Sequence, residues 1–317
     1  MYIGDEMKIG EISEREWIKK ARKFVDPADL LSTDDDSFAV SVEKGVLVSN
    51  IDGFIPDSDR PPDMPWFWVG YKACVAAMSD VIAKGATPIQ TIVSFTFPRN
   101  FLVEDSLQIL EGISRACRDA GAKFHGGDLN VGGTVVIDVA VNGFAKDKVI
   151  PRHSTELRKG DKVYWLGPPF GSSAVALKKL LRKNHSEKEL KDLIEPYFYQ
   201  LKPQLDFVSI HRKRHIKASM DCSDGLALTL CSLVEGTGLG VEIDAKAVRT
   251  NAIETENFLE EVFYGGEEYG IVFISEEDIG EALTIGKLVE GKTVFDGISL
   301  DCRGWDHFKS HNKLESQ

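Results

Sequence analysis

The residues best able to do chemistry in this chain are aspartates held in short acidic turns. Asp34-Asp35-Asp36 precedes one segment of strand character, and Asp52-Gly53 follows another. Residues 37–42 and 46–51 alternate as strands, with Glu43-Lys44-Gly45 as the turn between them. A hairpin folds the chain back on itself, so Asp36 and Asp52 are expected to be neighbours. Like charges that close raise each other's pKa or call for a cation. An all-oxygen ligand set favours magnesium, manganese or calcium over zinc. An acidic turn that only caps a strand is the plain alternative for Asp34-Asp35-Asp36.

Three more segments carry the same chemistry. Ser79-Asp80 falls inside a helix predicted over 68–84 and stopped by Gly85. Gly126-Gly127-Asp128 follows a strand over 122–125 and reads as a turn. Asp221-Cys222-Ser223-Asp224-Gly225 follows a strand over 217–220 and opens a helix over 226–235. A strand leading into a Gly- and Ser-rich turn at a helix N-terminus is a phosphate cradle. Aspartates beside it could hold magnesium against the phosphates. Each segment alone is most simply a turn; together they place carboxylates repeatedly at element boundaries, where functional residues concentrate.

The elements that position these residues follow from periodicity. A capping box at Ser13-Glu14-Arg15-Glu16 opens a first helix. Strands are expected over 89–97, 134–145, 163–166 and 269–274, with helices over 104–120 and from Ser172. Gly236 to Gly240 follows a helix and is taken as its stop. The polar stretch 147–159, with Pro151, is the candidate boundary between domains 1–148 and 149–317. The architecture is mixed α and β.

Composition narrows the function classes. Asp and Glu number 50 against 38 Lys and Arg, for a formal net charge of −12. That balance argues against a general nucleic-acid binder. The basic run His211-Arg212-Lys213-Arg214-His215 is read as a solvated turn or helix end. Five cysteines lack any CxxC pair, and their odd, sparse number fits buried thiols in a reducing compartment. No apolar run approaches membrane-helix length and no secretion signal is apparent, so a cytoplasmic protein is expected. The phosphate loop GxxxxGK[ST], the protein-kinase HRD and DFG signatures, GxSxG and HExxH are all missing.

In this order, the acidic segments resemble those of the thiamine-monophosphate kinases, within the aminoimidazole-ribonucleotide-synthetase superfamily. The likeness runs from about Asp34 to Phe308. Asp35 to Val40 is similar to GDDAAVV. Gly70-Tyr71-Lys72-Ala73 through Ser79-Asp80 to Pro88 is similar to GxKAxxxxxSDxAAMGAxP. Gly126-Gly127-Asp128 looks like GGDT, Asp221 to Leu226 like DISDGL, Gly265 to Tyr269 like the start of GGEDYE, and Gly304 to Phe308 like GYDHF. The resemblance implies a two-domain fold: an N-terminal mixed sheet that pairs in a homodimer, and a C-terminal α/β domain. It implies transfer of phosphate from ATP to thiamine monophosphate. It also implies magnesium ligands at Asp36, Asp52, Asp80, Asp128, Asp221 and Asp224, nucleotide contacts at Gly127, Asp128, Arg152 and Ser223, and acceptor contacts at Glu267 and Trp305. Superfamily alternatives are an ATP-dependent synthetase with another acceptor, or a nucleotide-binding maturation factor.

The chain departs from the family pattern in places. The usual DxLVEGVHF reads Asp52-Gly53-Phe54-Ile55-Pro56-Asp57-Ser58-Asp59, without the histidine. Asn50-Ile51 replaces Ser-Thr, Leu129 replaces the threonine of GGDT, and Glu268 and Gly270 differ from GGEDYE.

Overall fold

A computed structural model describes residue 30, residues 38–182 and residues 185–308. The helix expected at Ser13 and the run Asp34-Asp35-Asp36, with the candidate ligand Asp36, lie outside the described residues.

The hairpin forms as its alternation predicts. Strands β1 (Phe38–Val42) and β2 (Gly45–Phe54) pair antiparallel, with Val42 opposite Gly45 and Phe38 opposite Ser49. β2 does not end at Ile51. Its other edge is paired by β5 (Val136–Ala145) as far as Phe54, which keeps the backbone extended and puts Asp52 inside the strand, opposite Val139. β3 (Thr87–Phe97) and β4 (Lys123–Val131) complete a five-stranded sheet ordered β1-β2-β5-β3-β4. β4 runs parallel to β3, which makes the sheet mixed. Gly126-Gly127-Asp128 is therefore strand rather than turn. Gly127 lies opposite Val93, where a Cβ would stand 1.6 Å from the Val93 carbonyl oxygen. Only glycine permits that approach.

Two helices cover one face of this sheet. The short helix α1 (Pro56–Asp59) precedes α2 (Trp66–Ala83), and α3 (Val103–Asp119) carries the β3–β4 crossover. Both long helices stop near the glycines expected to end them, Gly85 and Gly121, which adopt φ of 76° and 71°. Ile137, Val139 and Val141 of β5 are fully buried beneath the helices, on alternate positions. On the opposite face the register aligns Ile51, Ala140 and Ile92 across three strands, with Ile51 67% and Ile92 45% exposed.

The second sheet has seven strands: β6 (Lys162–Leu166), β7 (Ala218–Cys222), β8 (Leu239–Ile243), β9 (Gly270–Ser275), β10 (Leu283–Glu290), β11 (Val294–Phe295) and β12 (Ile298–Ser299). Their order is β12-β11-β8-β10-β6-β9-β7, with one parallel pair, β8 and β11. β9 is buried at all six positions, which explains its unbroken apolar run. Helices α4 (Ser172–Leu181), α5 (Asp206–His211) and α6 (Leu226–Val234) flank the sheet, together with a π-helical segment, Leu190–Tyr199, that contains Pro196. One hydrophobic core continues from α2 and the first sheet into Ile194, Phe198, Phe207 and Phe273; a second lies around α6, with Leu230, Val241 and Phe295.

Polar bonds fasten the seam between the sheets. The buried Lys84 ammonium donates to the Ser219 carbonyl at 3.1 Å, and the Ser219 hydroxyl donates to the Ala83 carbonyl. The Ser219 N–H donates to the Pro151 carbonyl at 3.1 Å, in the stretch expected to be the boundary. The end of α2 and strand β7 thus form one unit.

Cysteine usage differs from expectation. Cys74, Cys117 and Cys222 are buried thiols, but Cys231 and Cys302 form a disulfide. Their separation of 71 residues carries no motif. The pair meets because the chain end folds back over α6. Among the described residues, no helix is long and apolar enough to cross a membrane.

Candidate active site

The segments bearing carboxylates converge where α2, β2 and the end of β7 meet. Ser79 and Asp80, adjacent on α2, reach in two directions. The Ser79 hydroxyl donates to Asp221 Oδ2 at 2.6 Å, and Asp80 Oδ2 accepts from the Asn50 side-chain amide at 2.6 Å. The dipeptide is thus bonded to both sheets, to Asn50 of β2 and to Asp221 of β7. Asn50 supplies the donor that holds Asp80.

Asp52 faces the same space. Its carboxyl is pushed up to about 6, first by burial and then by the charge of Asp221; the Gly53 N–H and His307 oppose the shift. A buried carboxyl beside another carboxylate is a poor anion until a cation arrives. Asp52, Asp80, Asp221 and Asp224 line one cavity of about 240 Å³, with Ser223 and Glu267.

The wall bearing Glu267 is built on a backbone contact. Gly266, at φ 77°, sits over the Ser223 carbonyl oxygen, where a Cβ would come within 2.4 Å. The next N–H, of Glu267, donates to that oxygen at 2.7 Å. Glu267 and Tyr269 adopt φ of 64° and 49°, a conformation that side-chain-bearing residues rarely take and that gathers at functional sites. Glu267 pairs with Lys72 at 3.0 Å. Lys72 is fully buried on α2, and its ammonium lies 3.5 Å from the centroid of the Phe198 ring. Tyr269 also lines the cavity, and burial, reinforced by Glu267, drives its hydroxyl far above the usual range, so it stays neutral.

The C-terminal segment closes the mouth. Trp305 lines the cavity, its backbone N–H donates to the Asp224 carbonyl at 3.1 Å, and its indole N–H meets His307 Nδ1 at 3.3 Å. The Cys231–Cys302 bridge ties this segment to α6, directly after the turn over residues 223–225.

The structure thus brings together Asp52, Asp80, Asp221, Ser223, Asp224, Glu267 and Trp305. Gly127, Asp128 and Arg152 do not line the cavity. Asp128 lies exposed on β4, accepting from the Asn130 side chain at 2.8 Å, and Arg152 is in the stretch after β5. Reasoning from sequence missed Lys72, Asn50 and His307. A lone lysine in the apolar run of α2 is the signal that could have found the first.

Among the described residues, no three His, Cys, Asp or Glu side chains gather closely enough to hold an ion by themselves. The donor set nevertheless fits a hard divalent cation. It is made of oxygens, it is anionic, and it is spread around a space that phosphate oxygens could complete.

The models for AIR synthase related proteins match this chain in both halves, the N-terminal domain at residues 34–145 and the C-terminal domain at 158–292. A thiamine-monophosphate kinase from Nitrosopumilus maritimus is 29% identical over 282 residues, covering 83% of this chain and 89% of that protein. One from Aquifex aeolicus is 30% identical over 256 residues, covering 76% and 81%. The solved structure of AaThiL complexed with AMPPCP and TMP superposes with a TM-score of 0.84 at 24% identity, covering 96% of this chain and all of that one.

Proposed function

We propose that this chain, which belongs to the thiamine-monophosphate kinase family, transfers the γ-phosphoryl group of ATP directly to thiamine monophosphate. The observation that carries the reading is the convergence of Asp52, Asp80, Asp221 and Asp224 on one cavity that Glu267 and Trp305 also line. A phosphate oxygen of the acceptor attacks the γ-phosphorus. The bond to the β,γ-bridging oxygen breaks, and ADP leaves. The acceptor oxygen is already anionic, so no strong base is required, and catalysis is alignment and charge neutralisation.

Asp52, Asp80, Asp221 and Asp224 would hold magnesium, which would supply neutralisation of phosphate charge. Asp36 and Asp128 are further proposed magnesium ligands, and Gly127, Asp128 and Arg152 proposed nucleotide contacts. The protein's own residues do the positioning. Ser79 and Asn50 aim Asp221 and Asp80. The turn at Ser223 opens helix α6 and offers N–H groups to phosphate. Lys72 holds Glu267 in the wall that meets the acceptor. Trp305 offers a ring face to a cationic thiazolium.

The reading includes a homodimer, supported by the row Ile51–Ala140–Ile92 on the first sheet. It includes a division near residue 148, supported by the two separate sheets, and a cytoplasmic location. The test is ADP release by the purified protein with ATP and magnesium. Release should depend on thiamine monophosphate; a rate no higher than the acceptor-free background overturns the assignment.

A further inference from the structure

Strand β7 and the last turn of helix α2 lead from the acidic cavity to a second concavity of opposite charge. Asp80 and Asp221 stand at one end; Gly85, just past α2, and Lys217, just before β7, stand at the other. The span from Lys217 to Asp221 separates the two ends by about 13 Å. This second crevice holds about 390 Å³ and is lined by the basic run after α5 and by the chain leaving β5.

Its charge is largely uncompensated. Lys146, Lys148, Arg212 and Lys213 line it, all exposed, and none forms an ion pair among the described residues. Arg212 makes one side-chain bond, donating to Thr87 Oγ1 at 3.2 Å. Asp147 is on the same wall and offsets them only in part, because the other lining carboxylate, Glu156, is engaged by His215 at 3.2 Å. Arg214 reaches Glu277 and Glu281 with its terminal nitrogens at 3.6 and 3.8 Å, while its buried Nε–H has no hydrogen-bond partner.

The walls are fixed rather than loose. The His211 ring packs against Gly85, and its Nε2 bonds to the Lys148 carbonyl at 3.1 Å, tying the basic run to the β5 exit. Four cations crowded on a protein of net charge −12 repel one another. A crevice that keeps them together is stabilised by an anion. Forked guanidinium and flexible ammonium donors in one concavity suit phosphate oxygens.

We propose that this crevice is a second binding site, separate from the acidic cavity, for a small phosphorylated anion carrying two or more negative charges. The proposal does not depend on the kinase reading. Without metal, the carboxylates of the acidic cavity repel polyphosphate, so binding in chelator reports on the crevice.

The probe is inorganic tripolyphosphate in excess EDTA, followed by titration calorimetry. Saturable binding of one equivalent is expected, weakening as salt rises. Lys148→Glu and Lys213→Glu should each reduce affinity at least tenfold, with unchanged circular dichroism and melting temperature because both side chains are exposed. The milder Lys148→Ala and Lys213→Ala provide the same comparison if a charge reversal disturbs folding. Asp80→Asn should leave this binding unchanged. Absence of saturable binding, or binding indifferent to these lysines, overturns the proposal. Tighter binding in Asp80→Asn, where a repelling carboxylate has been removed, assigns the anion to the acidic cavity and overturns it equally.

Discussion

The acidic cavity and the basic crevice stand at opposite ends of strand β7 and on either side of the C-terminal turn of α2, yet they are built by opposite means. In the cavity, carboxylates are sunk among restraining donors: Ser79 on Asp221, Asn50 on Asp80, Lys72 on Glu267. Each is fixed in place, and Asp52 is held at the cost of its own ionisation. In the crevice the cations stand exposed on loops, held by the backbone beneath them and by one side-chain bond, from Arg212 to Thr87. Geometry matters most where reacting atoms must align, whereas attraction of an anion needs only charge in a concavity.

The largest expected effect breaks the acidic end. Asp80→Asn and Asp52→Asn should each lower kcat by a factor on the order of 10² to 10³ or more, the range for removing a group that stabilises developing charge. Steady-state ADP release at saturating substrates measures it. Near-normal turnover in either variant removes the metal-cluster reading.

The Lys72–Glu267 pair should be asymmetric. Glu267→Gln deprives a fully buried ammonium of this carboxylate and should cost about 3 kcal/mol in urea unfolding. Lys72→Met leaves a carboxylate that is 22% exposed and can be hydrated, so it should cost less. Equal losses would show that the pair is not what holds this wall.

The third effect concerns Asp52. Its folded pKa, about 6, lies above its ordinary value of 3.8. The folded state thus favours the protonated form, and that contribution is full below pH 4 and lost as pH rises through 6. Metal-free protein should therefore lose stability across this window. Asp52→Asn should remove much of that loss and gain about 1–3 kcal/mol at pH 7–8 in chelator. The same substitution would stabilise the empty protein and abolish turnover.

The smallest effect lies at the cavity mouth. Reducing the Cys231–Cys302 bridge, or replacing Cys302 with serine, frees the segment that carries Trp305. KM for the acceptor should rise about threefold, with kcat little changed, as expected when a binding wall loosens without touching the reacting groups. An unchanged KM would show that the Trp305–Asp224 backbone bond holds the segment unaided.

Much of this was legible in the sequence because it rests on local rules. Strand alternation gave β1 and β5, Gly85 and Gly121 marked the helix ends, and a turn opens α6 as the strand-to-helix pattern predicts, although Asp221 and Cys222 belong to β7 and the turn starts at Ser223. The rest depended on partners distant in the chain. Asp52 reads as a turn residue until β5 is known to pair β2 as far as Phe54. Gly127 reads as part of a phosphate turn until Val93 is placed 1.6 Å from its missing Cβ. Lys72 looks like a stray charge in an apolar helix without Glu267, and Cys231 has no visible reason to meet Cys302.

The central claim is direct transfer to thiamine monophosphate at the acidic cavity. Following labelled γ-phosphate from ATP through a single turnover tests it most directly. The account predicts the label in thiamine diphosphate, in proportion to ADP formed, with transfer lost in Asp80→Asn. Label appearing only as inorganic phosphate, or transfer surviving in Asp80→Asn, would contradict it.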